Sequence, residues 1–137
     1  MPEVTLLGSS AILTEIIKAA QQLAERGVRA TVYSVTSWSE LAYDGAACQQ
    51  RRLKGETTQQ AFIAQLLQAT GSPVIAATDF VRAVPESIRA FLPADRSYLT
   101  LGIDGFGRSY TRAALRAFFG FNAQSIVDAA LLQLKNA

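Results

Sequence analysis

The chain has 137 residues, half of them hydrophobic and 18% charged, with 13 basic and 11 acidic side chains leaving a net charge of +2. That length points to one domain, able to bury about 70% of its unfolded-state surface without disulfides or metals, and so balanced a charge argues for neither nucleic-acid nor membrane binding. With no histidine and a single cysteine, Ser-His and Cys-His nucleophile pairs, His-ligated zinc and thiolate metal sites are excluded, so the chain alone reads as non-enzymatic.

Few charges for so many apolar residues imply that part of the surface faces another protein segment. No apolar run approaches the ~18 residues of a membrane span, and Met1-Pro2-Glu3 lacks the basic start and apolar core of a signal peptide. Lone Cys48 excludes an internal disulfide and points to a reducing cytoplasm.

Val4-Thr5-Leu6-Leu7 is a fully apolar strand, broken by Gly8-Ser9-Ser10. A helix follows from Ala11, with Ile12, Leu13, Ile16, Ile17, Ala20, Leu23 and Ala24 at steps of three and four. Ser9 or Ser10 can cap its first turn and Gly27 ends it. Ala30 to Val35 is β-branched and reads as the second strand. Ser37 and Glu40 form a capping box before a helix that runs to about Cys48, weakened at Gly45. Cys48 reads as a small buried hydrophobe, since no histidine or helix start is near to lower its pKa. Gln49 to Glu56, with Arg51, Arg52, Lys54 and Gly55, reads as a surface loop whose basic cluster is either solvated or able to bind an anion, the solvated loop being the favoured reading.

Thr57 and Gln60 make a second capping box before Phe62, Ile63, Leu66 and Leu67 at helical spacing, and Gly71 closes that helix. Pro73 to Thr78 is the third strand, apolar on both faces as buried parallel strands are. Asp79 then sits where open α/β sheets place ligands, or caps the turn at Phe80. Pro85 suits the first turn of a short helix through Phe91, which Pro93 prevents from continuing. Tyr98 to Ile103 is the fourth strand. Asn122 caps a last helix carrying Ile126, Val127, Ala130, Leu131 and Leu134 on its apolar side. Strands alternating with helices predict a three-layer α/β/α sandwich over residues 1–137; four parallel strands in order 2-1-3-4, with the strand beginning at Val4 inside the sheet, are the expected arrangement.

Between the fourth strand and a helix from about Tyr110 to Phe119 lies Asp104-Gly105-Phe106-Gly107-Arg108-Ser109. Its two glycines resemble a dinucleotide fingerprint, but the third glycine is absent and the turn follows the last strand rather than the first, which rejects nucleotide binding. Arg108, Arg112 and Arg116 are spaced by four and share one side of that helix. They are either solvated, with Asp104 pairing to Arg108, or they meet carboxylates of another segment, with Phe106 as an apolar anchor.

Leu7-Gly8-Ser9, Ser34-Val35-Thr36-Ser37, Ala77-Thr78-Asp79 and Gly102 to Ser109 fall in the order and at the spacings of one family. The chain resembles the C-terminal, transketolase-like domain of the homodimeric pyruvate dehydrogenase decarboxylase component, over essentially residues 4–136. Tyr110 stands where that family usually has an acid, and Gly120-Phe121-Asn122 where it tends to have an acidic-Val-Asp run, which alters the local contacts of that corner.

The resemblance implies a domain of a larger thiamine diphosphate enzyme that decarboxylates pyruvate and acetylates lipoyl groups on a partner acyltransferase. Thiamine diphosphate and magnesium would belong to preceding domains, leaving this domain without catalytic, cofactor-binding or metal residues. It would serve structure and dimer assembly, with Asp104, Phe106, Arg108, Arg112 and Arg116 as interdomain or dimer contacts. The resembling domains carry a further antiparallel strand upstream, whose omission would leave an edge beside Ala30 to Val35. The rival readings are a stand-alone flavodoxin-like module holding a small anion at the strand carboxyl ends, and a carboxylate enzyme using Asp79 and Asp104.

Overall fold

The computed structural model describes residues 2–9, 12–68, 71–78, 83–93, 96–102 and 123–135. Its first strand, β1 (Glu3–Gly8), is buried from Val4 to Gly8. Strands β2 (Arg29–Ser34), β3 (Val74–Ala77) and β4 (Tyr98–Leu101) complete one sheet in the order β2-β1-β3-β4. Every pairing is parallel, with Leu6 opposite Val32 on one side and Ile75 on the other. This is the predicted order, and it explains the apolar run at Val4-Thr5-Leu6-Leu7. A strand flanked by partners and covered on both faces has no polar side to show.

The two-residue period of the strands sorts side chains to two cores. Val4, Leu6, Ile75 and Ala77 face α1 (Ile12–Glu25) and α5 (Ala123–Lys135). Leu7, Val74, Ala76 and Tyr98 face α2 (Trp38–Leu53), α3 (Phe62–Leu67), α4 (Ala83–Glu86) and a 3₁₀ turn at Arg89–Phe91. Helices therefore cover both faces. Thr5 points into the second core, where its hydroxyl meets that of Ser72 at 2.9 Å, so the buried oxygen is not left unpaired.

The helix ends follow from two glycines. Gly27 takes φ +77°, its N–H bonds the Ala24 carbonyl and that of Val28 bonds Leu23. Gly55 takes φ +75°, and the N–H groups of Gly55 and Glu56 bond the carbonyls of Arg52 and Arg51. Both are Schellman ends, in which a residue without Cβ turns the chain left-handed and satisfies the last carbonyls.

The second of these ends corrects the sequence reading. Gln49 to Leu53 is helix rather than loop; Gln and Arg are good helix formers, and the stop signal is Gly55. The α1 stripe also differs. Ile12, Ile16, Ala19 and Leu23 are buried, whereas Ile17 is 46% exposed and Ala24 is exposed. The buried stripe of the helix therefore runs through Ile12, Ile16, Ala19 and Leu23. The segment from Pro85 to Phe91 is two pieces, α4 and the 3₁₀ turn, rather than one helix.

The strand bounds differ slightly from the sequence reading: β1 is one residue longer at each end, β2 is shifted back by one residue to end at Ser34, β3 is one residue shorter at each end and β4 stops at Leu101. β2 is one edge of the sheet, and its exposure alternates along its length. The predicted helix at 110–119 and the Asn122 cap lie outside the described residues.

Candidate functional site

At the carboxyl end of the sheet lies a cleft of about 600 Å³ between the end of β2, α2 and α3. Its floor is Leu7, with Tyr33 and Val35 from the β2 end and Ile63 and Leu66 from α3. Its rim carries Ser34, Thr36, Ser37, Glu40 and Asp44. The α2 start is fixed by two hydrogen bonds. Ser37 Oγ accepts from the Glu40 N–H at 3.1 Å, as the capping box predicts. Trp38 Nε1 donates to Ser9 Oγ at 3.1 Å, tying α2 to the β1–α1 turn. Ser9 thus serves a residue 29 positions away.

The Thr57 and Gln60 capping box does not form. Ala61 is the N-cap of α3 and offers no side-chain bond. Thr57 Oγ1 accepts from the Gln59 N–H, and Gln60 Oε1 accepts from Arg52 Nη1 at 2.6 Å. The α3 start is capped instead by Asp44 of α2, whose Oδ2 accepts from the Phe62 N–H at 2.8 Å. A carboxylate there also suits the positive end of the helix dipole. Asp44→Ala is expected to cost about 1 kcal/mol in urea unfolding and Asp44→Asn much less. Equal losses in the two variants would show that the cap contributes nothing.

Among the described residues two carboxylates and no basic side chain line this cleft, and those charges disfavour a small anion. Cys48 is buried as expected, its Sγ 3.6 Å from Arg51 Nη2 and 3.9 Å from the Gln60 carbonyl.

A second polar group sits under β4. Glu86 holds Arg89 through both carboxylate oxygens at 2.7 Å and accepts from Thr100 Oγ1 at 2.6 Å. Tyr98 OH donates to the Pro85 carbonyl at 2.7 Å, with the Arg89 guanidinium 5.0 Å over its ring. The Glu86 hydrogen bond raises the Arg89 pKa. Burial, then the Glu86 charge, pushes the Tyr98 phenol well up. The folded-state value therefore lies above the unfolded value of about 10, so Tyr98 leaves stability untouched below that pH and lowers it as pH rises beyond. Tyr98→Phe should lose about 1 kcal/mol at neutral pH and flatten the alkaline fall. An unchanged alkaline fall in thermal melts would assign it to another group.

Of the residues singled out in the sequence, Asp79, Asp104, Phe106, Arg108, Arg112 and Arg116 lie outside the described residues. The described residues do bring the two segments that lead to them together. Thr78 N–H donates to the Leu101 carbonyl at 3.0 Å, so the ends of β3 and β4 are adjacent. The Glu86, Arg89 and Thr100 cluster escaped the sequence reading, because nothing in a linear pattern joins residues 14 apart across a helix and a strand.

No group of three or more His, Cys, Asp or Glu side chains that could hold a metal occurs among the described residues. No helix among them is long and apolar enough to cross a membrane.

A family model described as the transketolase-like TK C-terminal domain matches residues 1–122. The chain is 44% identical over 135 residues to the pyruvate dehydrogenase E1 component of Corynebacterium glutamicum, covering 96% of this chain and 14% of that protein. It is 43% identical to the Escherichia coli K12 protein of the same name, over 96% and 15%. Among solved structures, a split-gene transketolase described as an inactive beta4 tetramer superposes with TM-score 0.68 at 20% identity, over 98% of this chain and 40% of that one. The transketolase of Campylobacter jejuni gives 0.57 at 21%, over 95% and 17%.

Proposed function

Because the chain belongs to the transketolase-like C-terminal domain family, we propose that it is the structural and assembly domain of a pyruvate dehydrogenase E1 component, with no catalytic group of its own. One observation carries this reading: the identity of 43–44% runs along 96% of the chain, and the curated relatives that share it bear that one name. The chain spans about one-seventh of their length, so the enzyme's activity belongs to this reading and not to the fragment.

The full protein would decarboxylate pyruvate with thiamine diphosphate and magnesium and pass acetyl groups to lipoyl groups of an acyltransferase, as a homodimer in the cytoplasm. The donor set here does not fit that cofactor. There is no histidine in the chain, and the described residues contain no metal-competent cluster; magnesium wants oxygen ligands gathered at one point. No chemical step is therefore assigned to these residues.

The assembly role falls to Asp104, Phe106, Arg108, Arg112 and Arg116. Arg108 and Arg112 lie close after a strand and would be disfavoured by about 0.3–1 kcal/mol each if they sat at a helix start without acidic partners. Carboxylates on the preceding domains or a second subunit would remove that cost. In full-length enzyme, Arg112→Ala or Phe106→Ala should weaken dimerisation or lower activity, while melts of the 137-residue chain change little. Wild-type sedimentation and turnover in both variants would show that face to be ordinary surface. Calorimetric titration of the chain alone with thiamine diphosphate and magnesium should show no saturable binding; micromolar affinity would overturn the reading.

A further inference from the structure

α2 is polarised along its length. Glu40 lies in its first turn and Arg51 in its last, with Lys54 just beyond as the C-cap. Glu40, Tyr43, Ala47, Arg51 and Lys54 recur at steps of three and four, so they share one side of the helix. All of them are exposed. Tyr43, at 79%, is the most exposed large hydrophobic side chain among the described residues. A 16-residue helix thus presents an outward face with an acid at one end, bases at the other and uncharged residues between.

We propose that this face binds a second copy of the same chain, with the two α2 helices packed antiparallel about a two-fold axis at Ala47. Glu40 and Lys54 lie equally far to either side of that residue, about 10 Å along the axis at 1.5 Å per residue. An antiparallel pair therefore sets Glu40 of each copy against Lys54 of the other. It also sets each Tyr43 ring beside the other copy's Arg51 guanidinium, a cation–π arrangement. A parallel pair would align acid with acid and base with base. The small side chain at 47 lets the backbones approach where they cross, and the isologous geometry makes every contact twice. The surface is self-complementary in charge, which is what selects a copy of this chain over an unrelated partner. One helix pair covers less than the ~1,600 Å² of a standard stable interface, so the association is concentration-dependent and weakened by salt. It does not depend on the chain's place in a larger enzyme.

Sedimentation of the 137-residue chain across micromolar to millimolar concentration tests this. The wild-type chain should pass from monomer to dimer, Glu40→Lys should lose the dimer, and Glu40→Lys combined with Lys54→Glu should regain it. A wild-type monomer throughout, a Glu40→Lys variant that dimerises like wild type, or a double variant that stays monomeric would overturn the proposal. Ala47→Cys is the second variant, because it leaves both charges in place. It should form a disulfide-linked dimer on mild oxidation while the wild-type chain, whose Cys48 is buried, does not. Failure of Ala47→Cys to crosslink would overturn it equally.

Discussion

Leu6→Ala is expected to remove 4–5 kcal/mol of stability and Leu7→Ala only 2–3, both within the ~2–5 kcal/mol range of such core truncations. Both side chains are fully buried on the same strand, so transfer from water alone does not separate them. The surroundings do. Leu6 is enclosed between the sheet, α1 and α5, and its removal leaves a void that neighbours on three elements must collapse to fill. Leu7 forms the floor of the open cleft, so its loss enlarges a space that water already reaches. Urea unfolding of the two variants measures the difference, and a larger loss for Leu7→Ala would mean the cleft is closed in solution. Hydrogen exchange gives the matching observation: the Leu6 and Leu7 amides should be among the slowest, because a covered central strand opens only with global unfolding. Better protection at Tyr98–Leu101 would contradict the central place of β1.

Gly45→Leu should be comparably severe, and even Gly45→Ala should destabilise. Glycine within a helix costs about 1 kcal/mol against alanine, so propensity alone favours the change. Packing opposes it. A Cβ at Gly45 would lie 2.3, 2.5 and 2.8 Å from three atoms of the Phe91 ring. A ring moves as a unit, so either α2 or the 3₁₀ turn must shift, and overpacking of this kind costs roughly 1–3 kcal/mol, with leucine at or above the top of that range. The loss should shrink sharply when Phe91→Ala is combined with Gly45→Ala, a coupling that a double-mutant cycle reads directly. Additive losses would show that the ring is not the obstacle.

The sequence pattern carried the strands because each is a short apolar run between turn residues, a local signal; their order follows from no such local run. It carried the Ser37 cap for the same reason: donor and acceptor are three residues apart. The Thr57 and Gln60 box failed on the opposite ground. Its pattern is correct, but Asp44 on the neighbouring helix supplies the cap, and no local rule contains a residue 18 positions away. Gln49 to Leu53 reads as loop on polarity alone, but Gln and Arg are good helix formers and the stop signal comes only at Gly55. Ile17 reads as core because periodicity gives a stripe and not its centre, which lies on Ile12, Ile16, Ala19 and Leu23. The cluster of Glu86, Arg89 and Thr100 was invisible until the strands were placed.

The position of β1 has a consequence for synthesis. Thr5 and Ser72, which share a buried hydrogen bond, are 67 residues apart in sequence. Of the four strands of this sheet β1 leaves the ribosome first and can pair with β2 early, but its other edge stays open until β3 emerges, after two further helices have been made. Loop closure over that span must be completed before the contact gives anything back. During that interval a central strand of the sheet, buried from Val4 to Gly8 in the finished fold, offers a free row of backbone donors and acceptors to any neighbouring nascent chain. Chaperone demand should therefore be highest for nascent chains ending between β2 and β3, and should fall once Ala77 is out of the exit tunnel.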